Sequence, residues 1–238
     1  MAAALLALGT LTGCVANGTP GNAGALRYLA LGDSYTIGEG VAEDDRWPLQ
    51  LARALRAEGI ALGDPRIIAT TGWTTDELSA AMDAGLVEAA GGIAPGAPPR
   101  SYDFVSLLIG VNNQYRGRSL DNYRAEFEAL LERAIGLAGG DAARVLVLSI
   151  PDWGVTRFGR ESRRDTGAIS RELDAYNAAA RATCDARGVA FVDITAVSRA
   201  HGAEATMQAE DGLHPSAAMY ALWTRLALPV AQRLLAAR

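Results

Sequence analysis

The stretch "YLALGDSYTIGEG", residues Tyr28 to Gly40, decides how the chain is read. A short apolar run stops at Gly32-Asp33-Ser34, so a hydroxyl is delivered at the carboxyl end of a candidate strand. Taken alone, Gly-Asp-Ser is also an ordinary turn. Its meaning depends on what stands at the ends of the other strands.

From Leu26 onward, short β-branched apolar runs alternate with longer segments of helical periodicity, the pattern of a parallel sheet covered on both faces. Strands are expected at 27–32, 66–70, 104–110, 144–150 and 189–194, each bounded by Gly, Pro, Asp or Asn. Helices are expected from Arg46, Thr74, Ser119, Ser170 and Ser216, with Thr74 and Ser119 as start signals and Gly59 and Gly188 as stops. The chain has 238 residues, half of them hydrophobic. This predicts one α/β domain over 25–238, a three-layer α/β/α sandwich around a five-stranded parallel, flavodoxin-like sheet of order 2-1-3-4-5. In such sheets, functional groups collect at the carboxyl ends of the strands. The Gly- and Pro-rich stretch 91–101 reads as a surface loop.

A net charge of -5 with scattered Arg offers no basic stripe, which argues against nucleic acid as a partner. No apolar run approaches the roughly 20 residues needed to span a bilayer. Residues 1–24 read as a targeting leader and flexible tether. Within them Leu11-Thr12-Gly13-Cys14 resembles the lipobox of bacterial lipoproteins. That resemblance implies lipidation at Cys14 and a lipid-anchored protein on the periplasmic face of a bacterial envelope, or a secreted one if Cys14 is unmodified. Cys184 reads as a small buried apolar residue, and two cysteines make neither a disulfide framework nor a metal cluster. No metal and no cofactor are expected. The loop after strand 1 lacks both G-x-G-x-x-G and a P-loop, which disfavours a nucleotide or flavin binder. A monomer is expected.

A serine hydroxyl becomes a good nucleophile only when a base takes its proton, and His is the side chain best suited to that task near neutral pH. Two histidines are available. His201 falls in the polar loop "VSRAHGAEA". His214 follows Asp211 by three residues across a Gly, so one turn lets the carboxylate hold one ring nitrogen while the other faces Ser34. Acyl transfer also needs donors for a developing oxyanion. Gly72, after strand 2, can offer its backbone N–H, and Asn112, after strand 3, its side-chain amide. Trp73, Gln114, Tyr115, Arg116, Trp153 and Phe158 trail the strand ends and are expected to frame a pocket for a small ester or an acetylated sugar. Arg116 and Arg118 could draw an anionic substrate toward it, but exposed Arg in a loop usually serves solubility alone.

"GDSYTIGEG" resembles block I of the SGNH hydrolases, the GDSL esterase/lipase superfamily, with Ser34 in the nucleophile position. "TTGWTTDEL" is similar to block II with Gly72, "IGVNNQ" to block III with Asn112, and "DGLHPS" to block V with Asp211 and His214. The resemblance implies esterase activity without a metal, and an oxyanion hole made by the Ser34 N–H, the Gly72 N–H and the Asn112 side chain. Tyr35 replaces the Leu of the name motif, and Asn113 stands where Asp is commoner. The G-x-S-x-G elbow of α/β-hydrolases is missing. The competing expectation is a carbohydrate-binding or flavodoxin-like module without turnover. Within the enzyme class, the alternatives are a lysophospholipase or thioesterase and a polysaccharide O-deacetylase.

Overall fold

A computed structural model describes residues 24–83 and 102–236. The leader with Cys14, the second half of the helix expected from Thr74 and the 91–101 loop lie outside these residues. Strands β1 (Tyr28–Gly32), β2 (Arg66–Ala69), β3 (Phe104–Leu108), β4 (Val145–Leu148) and β5 (Ala190–Val192) form one parallel sheet. Its order, β2-β1-β3-β4-β5, is the one the sequence predicts. β1, β3 and β4 are buried along their whole length, as expected of strands covered on both faces.

The helices are α1 (Ser34–Ile37), α2 (Trp47–Ala57), α3 (Thr75–Asp83), α4 (Val111–Tyr115), α5 (Leu120–Leu137), α6 (Arg157–Glu161), α7 (Thr166–Arg187), α8 (Thr195–His201) and α9 (Ala217–Ala236). α2 packs against α9, while α5 packs against both α3 and α7. Right-handed crossovers place these two groups on opposite faces of the sheet. Trp47, Leu51 and Leu55 of α2 face Tyr220 and Trp223 of α9 within a core that also takes in Phe104, Tyr123 and Phe127.

Each strand is one to three residues shorter than the sequence reading, and two helical segments differ from it as well. α7 starts at Thr166 rather than Ser170, because the Asp165 carboxylate accepts the Ala168 N–H at 2.9 Å and caps the helix one turn earlier. His201 is the last residue of α8 rather than a loop residue, and its Nδ1 pairs with Glu204 at 2.8 Å on the exposed surface.

The register brings three strands to a stop at one level, since Gly32 lies opposite Ala69 of β2 and Leu108 of β3. Side by side beyond that line come Ser34, Gly72 and Asn112. The crowding there leaves no room at Gly32, where a Cβ would collide with the Thr36 side chain and the Leu108 carbonyl. At Gly110 the φ of 127° and the packing act together, because a Cβ would sit 2.6 Å from the Tyr123 ring and 2.9 Å from Ile150. Gly110→Ala should therefore cost about 3 kcal/mol, read as a fall in Tm of roughly 6–12 °C. A Tm within a degree of wild type would show that the turn yields.

Candidate active site

Ser34 opens α1 and is buried. The turn is fixed by Asp33, whose Oδ1 accepts the Tyr35 N–H at 3.0 Å and whose carbonyl accepts the Thr36 and Ile37 N–H groups at 3.0 Å each. The Ser34 N–H, in contrast, has no acceptor among the described residues. Asp33 is fully buried and its Oδ2 has no hydrogen-bond partner among the described residues. Burial pushes its pKa up to about 7 against the opposing pull of the backbone N–H groups.

His214 comes from the loop ahead of α9. One carboxylate does two jobs there: Asp211 Oδ1 accepts the N–H groups of Leu213 at 2.9 Å and His214 at 3.0 Å, and Oδ2 meets His214 Nδ1 at 2.5 Å. The Ala209 N–H closes the loop on the His214 carbonyl at 2.8 Å. Partial burial raises the Asp211 pKa, but the bonds from His214 and Leu213 outweigh it and hold the group below the usual carboxylate value. An ionised carboxylate can only accept, so Nδ1 carries the proton and Nε2 is left as the acceptor. The His214 ring is itself held by Tyr35, edge-on at 5.8 Å, with Trp223 behind Tyr35 at 6.1 Å.

Gly72 and Asn112, the donors expected from the sequence, come from the segments after β2 and β3. Gly72 adopts φ 89°, a conformation that glycine takes at little cost, and its N–H has no acceptor among the described residues. Asn112 gives one amide hydrogen to the Trp73 carbonyl at 2.9 Å, which leaves the second available. Asn113 is buried: its Oδ1 accepts the Thr75 N–H at 3.0 Å and its Nδ2 donates to Thr75 Oγ1 at 2.6 Å. Thr75 Oγ1 in turn donates to Glu126. An amide supplies both the donor and the acceptor used here, whereas an Asp would set a second carboxylate beside Glu126.

Ser34, Gly72, Asn112 and His214 line one cleft of about 210 Å³, with Val111, Trp153, Phe158 and Leu213 forming apolar walls. Tyr115 lies at its edge, 51% exposed, packed edge-on against Trp153 at 5.5 Å. Not every residue expected at the pocket reaches it. Gln114 is buried, accepting the Trp153 indole N–H at 2.9 Å and donating to Glu172 at 2.5 Å, so it supports the wall from behind. Trp73 packs against the core. Arg116 and Arg118 are committed to Glu77 at 3.0 Å and Asp76 at 2.7 Å. Tyr35, Thr71, Val111 and Leu213 line the cleft without having been singled out in the sequence. The signal for Val111 is its four-residue spacing from Tyr115, which puts both on one face of a helical turn. Among the described residues no group of His, Cys, Asp and Glu side chains is placed to hold a metal ion.

Residues 30–222 match the GDSL-like Lipase/Acylhydrolase family. The chain belongs to that family. A search of curated proteins finds no match. Solved structures with the same fold include TesA, at 20% identity and a TM-score of 0.64 over 88% of this chain and 99% of that one. The lipase/acylhydrolase from Enterococcus faecalis aligns at 20% identity and a TM-score of 0.60 over 87% of this chain and 96% of that one. Axe2, an acetylxylan esterase from Geobacillus stearothermophilus, aligns at 18% and 0.62 over 87% and 94%. At these identities the likeness is one of fold.

The buried Asp33 gives this GDSL-like domain a pH signature. Its folded pKa, raised to about 7, exceeds the ordinary value of 3.8, so the folded state holds a proton that the unfolded chain has released. Stability attributable to this group is full below pH 4 and is lost as the pH rises toward 7. Asp33→Asn keeps the cap to Tyr35 and removes the titration. Urea unfolding at pH 5 and pH 8 should therefore show the variant gaining on wild type at the higher pH, and an equal difference at both would remove the buried charge from the account.

Proposed function

We propose that the protein is a serine esterase that hydrolyses small carboxylic esters through an acyl-enzyme, with Ser34 as nucleophile, His214 as base and Asp211 as its partner. Ser34 Oγ attacks the ester carbonyl carbon as His214 Nε2 takes the hydroxyl proton. The negative charge that develops on the carbonyl oxygen is received by the Ser34 and Gly72 N–H groups and the Asn112 amide. Collapse expels the alkoxide, which takes the proton from His214. A water then attacks the acyl-Ser34 ester by the same route in reverse, releasing the acid. Charge builds on the imidazole in both halves, and the ionised Asp211 stabilises it.

The observation that carries this reading is the meeting of Ser34, Gly72, Asn112 and His214 in one cleft while the far side of His214 is bonded to Asp211. The two N–H groups without acceptors, at Ser34 and Gly72, support the oxyanion role. The mostly apolar walls favour a short acyl or aromatic ester, and the half-exposed Tyr115 suits a sugar alcohol as the leaving group. This leaves an acetylated saccharide within the substrate range. We also propose that the enzyme works at the cell envelope, held by a lipid on Cys14; mass spectrometry of the mature N-terminus tests this, and an unmodified Cys14 would contradict it.

Ser34→Ala and His214→Ala should abolish p-nitrophenyl acetate hydrolysis with the Tm kept. Asp211→Asn should lower kcat by on the order of 10²–10⁴, and Asn112→Ala by on the order of 10²–10³. A fluorophosphonate should label Ser34 in the wild type alone. Full activity in Ser34→Ala would reject the mechanism.

A further inference from the structure

The loop that carries Gly72 is tied to α4 and its C-terminal cap by four polar contacts, and only the one from Asn112 involves a side chain with a part in the chemistry above. Asn112 holds the Trp73 carbonyl and Asn113 holds both the N–H and the hydroxyl of Thr75. Arg116, one residue beyond α4, donates through Nη2 to the Gly72 carbonyl at 2.7 Å. Its Nη1 donates to Glu77 Oε1 at 3.0 Å. Glu77 Oε2 accepts the Thr74 N–H at 2.9 Å and the Thr74 hydroxyl at 3.1 Å. Arg116 and Glu77 thus bracket residues 72–74 from both ends.

Gly72 needs such a restraint more than its neighbours do. It lacks a Cβ, sits at φ 89°, and its N–H must point into the cleft without an internal acceptor to aim it. Trp73 is fixed by its ring packing and its carbonyl bond, whereas among the described residues the Gly72 carbonyl has only Arg116 as a donor. A donor to that carbonyl fixes the ψ of Gly72, and with it the plane of the following peptide against which the Gly72 N–H is set.

We infer that Arg116 is a positioning residue: its guanidinium, anchored by Glu77, holds the Gly72 carbonyl so that the Gly72 N–H stays aimed at the developing oxyanion. This rests on the esterase reading of the cleft. It assigns Arg116 to the loop's geometry and not to capture of an anionic substrate. The guanidinium is about half exposed, and exposed ion pairs add little to stability. Its loss should therefore show in turnover rather than in melting.

The test uses the full chain and compares Arg116→Ala, Arg116→Lys, Glu77→Gln and, as a control for charge, Arg118→Gln. Hydrogen–deuterium exchange of peptides covering residues 70–76 reads the loop directly, and steady-state kinetics with a neutral acetate ester and an anionic ester read its effect. Arg116→Ala should speed exchange in 71–75 and lower kcat about tenfold, with KM within twofold for both esters. Arg116→Lys should recover part of the loss, Glu77→Gln should show a smaller fall, and Arg118→Gln should match wild type. Unchanged exchange, a loss carried by KM with the anionic ester alone, or an equal loss in Arg118→Gln would overturn the assignment. Full activity in Ser34→Ala would overturn the esterase reading and the catalytic role of Arg116 together. An inactive Ser34→Ala beside kinetically normal Arg116→Ala would overturn the role of Arg116 alone.

Discussion

The site depends on one constraint of the sheet: β1 lies between β2 and β3, all three run parallel, and they end at the same level. Parallel pairing fixes the direction of each strand, and the register of Gly32 against Ala69 and Leu108 fixes the height at which each chain leaves the sheet. Three of the residues that meet in the cleft follow from that shared edge. Ser34, Gly72 and Asn112 come from segments far apart in sequence, yet each follows its own strand end by two to four residues. No long or flexible connection is needed to bring them together.

His214 obeys a different logic. It does not trail a strand, and its position is set by a short loop that folds on itself around Asp211 before α9 begins. The carboxylate first organises the backbone and then holds the ring, so orientation of the base and formation of the turn are one event. Tyr35 completes the arrangement from the nucleophile's own turn, since its ring packs on His214. The turn that carries Ser34 and the loop that carries His214 are thus coupled through packing.

Much of this was legible in the sequence. Strand order, the layers and three of the four segments that meet at the cleft follow from apolar runs that end at Gly, Asp or Asn, and the fourth is read from Asp211 standing three residues ahead of His214. Less legible was the identity of the walls. Gln114 looked like a polar cleft residue because it follows Asn112, but the chain turns helical there and points it inward beneath Trp153. Arg116 and Arg118 looked like free cations, and their carboxylate partners Glu77 and Asp76 sit on α3, at a distance in sequence that composition does not reveal. The start of α7 was misplaced because Asp165 and Ser170 are both competent caps, and only the folded backbone chooses between them.

The two sides of the cleft draw on different parts of the chain. The Gly72 and Asn112 donors and their polar ties come from the loop after β2 and from α4, whereas most of the apolar wall, Trp153, Phe158 and Leu213, comes from segments beyond β4, with Val111 of α4 completing it. Sequence drift in those later segments can widen, narrow or reshape the wall while the donors keep their places. Trp153 and Phe158 stand apart in sequence from Asp211 and His214, so drift there can change which molecules the cleft admits and leave the polar residues that meet in it undisturbed.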